Sequence, residues 1–186
     1  MLSAKYRFLT RLQKEGKSNP ALSVLCFATN GTAVNRTGDP LKTHLVILKK
    51  RYLDKILDSG KTIELRLTKM PIPPFGCIAI GDKLFLKESS GPVCAVAKVS
   101  AFTEFRNLTP GKIAKLKAEF NAKILGEDEY WEFKSDSKFA VLIWLKNVRE
   151  IRPVRIDKKD WRAWVVLTEK ENYGLFKKLS SGDIID

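Results

Sequence analysis

Short apolar runs, closed off by turn-forming residues, divide most of this chain into strand-length and helix-length pieces. The clearest is SGKTIELRLTK, residues 59–69, where Ile63, Leu65 and Leu67 alternate with Thr62, Glu64 and Arg66 after a glycine turn. Side chains alternate across a strand, so the first set is predicted to enter a core and the second to share the opposite face. Upstream, THLVILKK (43–50) reads as a buried strand. RYLDKILDSG (51–60) reads as a short amphipathic helix, with Tyr52, Leu53, Ile56 and Leu57 on one stripe and Gly60 as C-cap.

Downstream, MPIPPFG (70–76) is a proline-rich loop that cannot continue a sheet. CIAIGDKLFLKE (77–88) reads as two strand pieces broken at Gly81 and Asp82, and SSGP turns the chain into the strand VCAVAKVSAFTEF (93–105). TPGKIAKLKAEFNAKIL (109–125) predicts a helix with Thr109 as N-cap and Pro110 in its first position. GEDEYWEFK (126–134) reads as a loop, KFAVLIWLKNVREI (138–151) and WRAWVVL (161–167) as apolar strands, and 168–182 as a last helix stopped by Gly182. Five or six short strands with two or three helices predict an α+β protein built on a small barrel or curled sheet.

Residues 1–42 have another texture. Leu2, Tyr6, Leu9 and Leu12 fall near helical spacing among basic residues, and a stretch rich in Asn, Gly, Thr and Pro follows. Residues 1–17 fit an organelle-targeting segment, a basic arm or a short packed helix equally. No run approaches the ~18 apolar residues of a membrane span. Cys26, Cys77 and Cys94 are odd in number and far apart, which predicts reduced thiols in an intracellular, cytoplasmic protein.

A net charge of +13 points to a polyanionic partner, with RNA or another nucleic acid the first choice. Lys49, Lys50 and Arg51 stand just before the predicted helix and are expected to share a rim with the 59–69 strand. Tyr130, Trp131 and Phe133 lie in the predicted loop near Lys134 and Lys138, where an aromatic ring can stack on a base. Trp161 and Trp164 flank Arg162; Trp164 and Trp144, inside apolar strands, are expected in the core. Lysines 112, 115, 117 and 123 read as the solvated side of a helix. His44 is the only histidine, Cys/His spacing for zinc is absent, and Gly60-Lys61-Thr62 lacks the rest of a phosphate-binding loop, so neither metal nor cofactor is expected. The sequence carries no mark of oligomeric state.

Residues 56–67, ILDSGKTIELRL, resemble the signature of the ASCH domain at Gly60, Lys61, Glu64 and Arg66. GDKLFLKE and KFAVLIWLKNV are similar to that family's later strands, in the same order, so the resemblance covers roughly 43–148 and more loosely reaches 167. It implies a small PUA-like β-barrel with flanking helices at 43–168, a basic extension at 1–42 and a helical tail at 169–186. It also implies recognition of RNA, a base or a short single strand in a cleft lined by Lys61, Glu64, Arg66, Lys49, Lys50 and Arg51, with Trp131 and Lys138 nearby. Some members belong to transcription coactivators, which implies a protein-interaction module instead. Ribonuclease activity is ascribed to other members, with no residues here that match it. A bacterial branch hydrolyses N4-acetylcytidine with a lysine, a threonine three residues on and a carboxylate from the following helix. Lys61 matches that lysine, Glu64 stands where the threonine would be, and Glu119, Glu127 and Glu129 do not align with the carboxylate. An enzyme here would therefore rely on Lys61 as base, a water as nucleophile and Glu64 as proton shuttle. From the residues alone, the three charged side chains either converge on a ligand or form an exposed salt-bridge ladder.

Overall fold

The computed structural model describes residues 26–27, 33–34, 38–158 and 160–180. The 1–17 segment and the Gly182 helix stop lie outside them. β1 (Cys26–Phe27) and β2 (Ala33–Val34) pair antiparallel in a small sheet of their own. The main sheet has six strands: β3 (Thr43–Leu48), β4 (Ile63–Thr68), β5 (Lys83–Glu88), β6 (Val93–Phe105), β7 (Phe139–Val154) and β8 (Trp164–Val166). Their order is β4-β7-β6-β5-β3-β8, with β3 and β5 parallel and every other pair antiparallel. The sheet curls into a half-barrel, and with its helices it is the expected α+β fold. It does not close: β4 and β8 are its two edges.

Among the described residues four α-helices flank the sheet: α1 (Lys50–Leu57), α2 (Pro110–Ile124), α3 (Asp128–Phe133) and α4 (Tyr173–Ser180). On the concave face Val46, Leu48, Leu84, Leu86, Val141 and Ile143 meet Leu53 and Ile56 of α1. On one convex flank Ile63, Leu65 and Leu67 of β4 pack under Ile113, Leu116, Phe120 and Ile124 of α2, as the alternation predicts. On the other, Leu175 and Leu179 of α4 cover Leu45, Phe85 and Val96, so the C-terminal helix is part of the core. Each such side chain contributes about 1.5–3 kcal/mol by leaving water.

Thr109 caps α2 by accepting from the Lys112 amide at 3.3 Å, with Pro110 opening the helix as predicted. Three local expectations change. Residues 77–82 form a turn, not a strand piece, because the buried Asp82 carboxylate accepts from the Ala79 amide at 2.7 Å and the Lys42 amide at 2.8 Å while Gly81 turns at φ +96°. Asp58, not Gly60, caps α1, and Ser59 takes the left-handed backbone at φ +61°. The stretch 126–134 contains a helix, α3, whose first turn carries Asp128 and Glu129 where the helix dipole favours acids. Cys77 and Cys94 are free thiols, and burial pushes Cys77 up to about 11. Among the described residues no helix is long and apolar enough to cross a membrane.

Candidate nucleic-acid cleft

The polar side of β4 faces into the half-barrel. Glu64 sits opposite Ile143 and Arg66 opposite Val141, both concave-face core residues, so the strand is covered on both sides. Glu64 and Lys61 are buried, Lys61 to 4% exposure, which removes the exposed-ladder alternative.

Lys61 reaches this position because its backbone amide bonds to the Lys55 carbonyl at 2.7 Å, folding the end of α1 onto the start of β4. Its ammonium then donates to the Ile124 carbonyl at 2.8 Å and the Ile63 carbonyl at 2.9 Å, and pairs with Glu64 Oε2 at 3.2 Å. Ile124 is the last residue of α2, where carbonyls lack partners within the helix and the dipole is negative. Lys61 is thus a helix cap as well as an ion-pair partner. Burial pushes its pKa down, against the Glu64 charge, which pulls it up. The geometry favours the ammonium, since an –NH3+ has three donors and all three are used.

Arg66 closes the other side of the network. Its Nε lies 3.0 Å from Glu64 Oε1, although the N–H is not well aligned with any acceptor, and its Nη2 donates to the Ile47 carbonyl at 3.0 Å. Ile47 belongs to β3, so this one guanidinium ties β4 to the far side of the open seam. The Trp164 ring lies beneath it, with the guanidinium carbon 5.4 Å from the ring centroid.

Behind Trp164 runs a buried chain that the sequence did not reveal. Trp164 Nε1 donates to His44 Nδ1 at 3.1 Å, and His44 Nε2 lies 3.0 Å from Asp82 Oδ2. An indole N–H can only donate, so His44 accepts at Nδ1 and carries its proton on Nε2, facing the carboxylate. The lone histidine is therefore structural, and it orients the ring on which Arg66 rests. A strand-opening histidine and a Gly-Asp turn are each visible in the sequence, but the β3–β5 register that pairs them is not.

Around this floor opens a cleft of about 960 Å³ along the seam between β4 and β8. Tyr52, Tyr130 and Trp164 form aromatic walls, and Lys49, Arg51, Lys134 and Arg162 supply cations at its lining. Tyr52 Oη is buried without a hydrogen-bond partner. Tyr130 Oη donates to the Leu65 carbonyl at 3.4 Å, and burial, with the Glu64 charge adding, pushes that phenol up. Burial, with Arg66 adding, holds Lys134 below the usual lysine range.

Lys61, Glu64, Arg66, Lys49 and Arg51 are brought together here as the motif suggested, Arg51 paired with Glu127 at 2.6 Å. Lys50 is exposed, pairs with Asp54 at 2.9 Å and does not line the cleft. Lys138 is exposed just before β7 and does not line it either. Trp131, expected to offer its ring from a loop, is instead buried in α3, with Nε1 donating to Asn121 Oδ1 at 3.0 Å. A base cannot stack on it. The aromatic residues that do reach the cleft mouth are Phe133 and Trp161.

No protein-family model matches the chain, and no curated protein matches it. Solved structures do. The crystal structure of ASCH from Zymomonas mobilis superposes with a TM-score of 0.57 at 16% identity, over 76% of this chain and 95% of that one. A tyrosine-to-phenylalanine variant of that protein gives 0.55 at 15% identity, over 73% and 97% of the two chains. A serine-to-alanine variant gives 0.55 at 17%, over 74% and 96%.

Proposed function

Since this chain has the ASCH-type fold, we propose that it is a nucleic-acid-binding module that takes a base of a single strand into the cleft at the barrel seam. The observation that carries this reading is the seam itself, where Glu64 and Arg66 meet at the floor of a cleft with aromatic walls and cationic edges. Flat rings accept any base face, a carboxylate accepts from an exocyclic amine, and a guanidinium donates to a ring carbonyl or a phosphate. The net charge of +13 supports a polyanionic partner.

Hydrolysis of a modified nucleoside has less support. A general base needs a free lone pair within reach of its proton. Lys61 is engaged by two carbonyls and a carboxylate, so all three of its donors are in use and it offers no lone pair as the base.

The test is equilibrium binding of a labelled single-stranded RNA across a salt series. Affinity is expected to fall with salt at about 0.7 log units per tenfold salt for each phosphate contact. Arg51→Ala and Lys134→Ala are expected to weaken binding and flatten that slope. Lys61 is unsuited to this test because it also holds α2 to β4. RNA binding that is absent, or indifferent to salt, refutes the proposal.

A further inference from the structure

The cleft mouth carries an aromatic residue followed by a cation on each side. On the β4 side, α3 ends in Phe133 followed by Lys134; on the β8 side the chain presents Trp161 followed by Arg162. Both rings are offered to solvent, Phe133 at 78% and Trp161 at full exposure, although water disfavours such surface. Each cation is placed beside its ring or fixed near it. Lys134 Nζ lies 5.3 Å from the Phe133 ring centroid. Arg162 is held by Asp160 at 3.0 Å and by Asn172 Oδ1 at 3.1 Å. The cleft volume of about 960 Å³ stands at the top of the range of about 300–1000 Å³ that serves compact small-molecule ligands.

We infer that the cleft accepts a nucleotide internal to a single strand and discriminates against a free nucleoside or nucleotide. The neighbouring bases stack on Phe133 and Trp161, and their phosphates meet Lys134 and Arg162. This inference rests on the reading of the cleft as a base site and adds the residues that hold the flanking nucleotides, and with them the discrimination against a free nucleotide. A ring on each lip matches a ligand that enters on one side and leaves on the other. A mononucleotide leaves both rings in water. A duplex hides the base faces that both rings would cover.

The experiment uses the full chain and compares a single-stranded RNA of about ten nucleotides, within the site sizes of stacking single-strand binders, with the mononucleotide and a blunt duplex of the same sequence. The single strand is expected to bind at least about tenfold more tightly than either, since stacking of one base is worth a factor of about 5 to 150. Trp161→Ala and Phe133→Ala are each expected to lower the ratio of single-strand to mononucleotide affinity by a factor in that range. Met70→Ala, an exposed apolar residue that does not line the cleft, is expected to leave the ratio unchanged. Saturation with the single strand should quench tryptophan emission, and Trp161→Phe should reduce the quench to the part contributed by Trp164 while retaining binding. Nucleotide binding with no preference for the single strand, or a ratio indifferent to both alanine variants, overturns this inference and leaves the base-site reading standing. Absence of binding to all three ligands overturns both.

Discussion

Replacing Lys61 by methionine separates two opposed contributions. The substitution keeps most of the buried stem and removes three contacts of 2.8, 2.9 and 3.2 Å, two to backbone carbonyls and one to Glu64. Bonds made by a charged group contribute about 1.5–3 kcal/mol each. Against them stands the cost of keeping an ammonium out of water, which the substitution relieves. Breaking a buried pair by removing one partner costs about 3–5 kcal/mol. Arg66 still compensates Glu64, so the lower part of that range applies and about 3 kcal/mol is expected. Urea unfolding at pH 7, with the m-value checked for constancy, measures it. A loss below about 1 kcal/mol would refute the reasoning, because it would mean that desolvation cancels the three contacts and Lys61 is not a net anchor. The pH dependence supplies the sign. Burial holds the folded pKa of Lys61 below its unfolded value, so between the two the unfolded chain binds the proton more tightly. Stability of the wild type relative to Lys61→Met should therefore be lowest below that window. It should rise as pH climbs through it toward the unfolded lysine value of about 10.4.

Further outcomes follow from packing. Gly126→Ala would set a Cβ 2.8 Å from Trp131 Nε1 and 3.3 Å from Asn121 Oδ1, so a loss of about 1–3 kcal/mol is expected in thermal or urea unfolding. Gly111→Ala meets nothing within 4 Å in the first turn of α2 and should gain a few tenths to about 1 kcal/mol in the same assay. Trp164→Phe leaves His44 Nδ1 buried without its donor, at an expected cost of about 1–3 kcal/mol, and should weaken RNA binding by loosening the surface under Arg66. Unchanged stability in this variant would refute the assigned tautomer.

What the sequence disclosed about the fold was whatever local periodicity controls. The β4 alternation, the Thr109 cap and the apolar runs of β3, β6 and β7 all depend on neighbours a few residues away. The motif residues Lys61, Glu64 and Arg66 were visible for the same reason, since they are close in the chain. Their burial was not, because it depends on the Ile124 carbonyl, 63 positions from Lys61, and on β4 being an edge strand whose polar side turns inward. The Asp82 turn looks like extended chain in the sequence because its apolar residues are strand-like, whereas the folded carboxylate collects the Lys42 and Ala79 amides. The helix within 126–134 leaves no mark in the sequence because it has only six residues, too few to show a period. Trp131, expected to offer its ring to a base, is buried on that account by a helix that looks like a loop.

An open sheet exposes two rows of unpaired amides and carbonyls that can recruit strands from other molecules. Here both edges border one groove, and each is partly blocked by a side chain. Tyr130 Oη takes the Leu65 carbonyl of β4, and Asn172 Nδ2 takes the Val166 carbonyl of β8 at 2.9 Å. Arg66 spans the gap between them. The seam that gives the protein room for a ligand is thereby also its guard against self-association, and substitutions that unfasten it should cost solubility before they cost secondary structure.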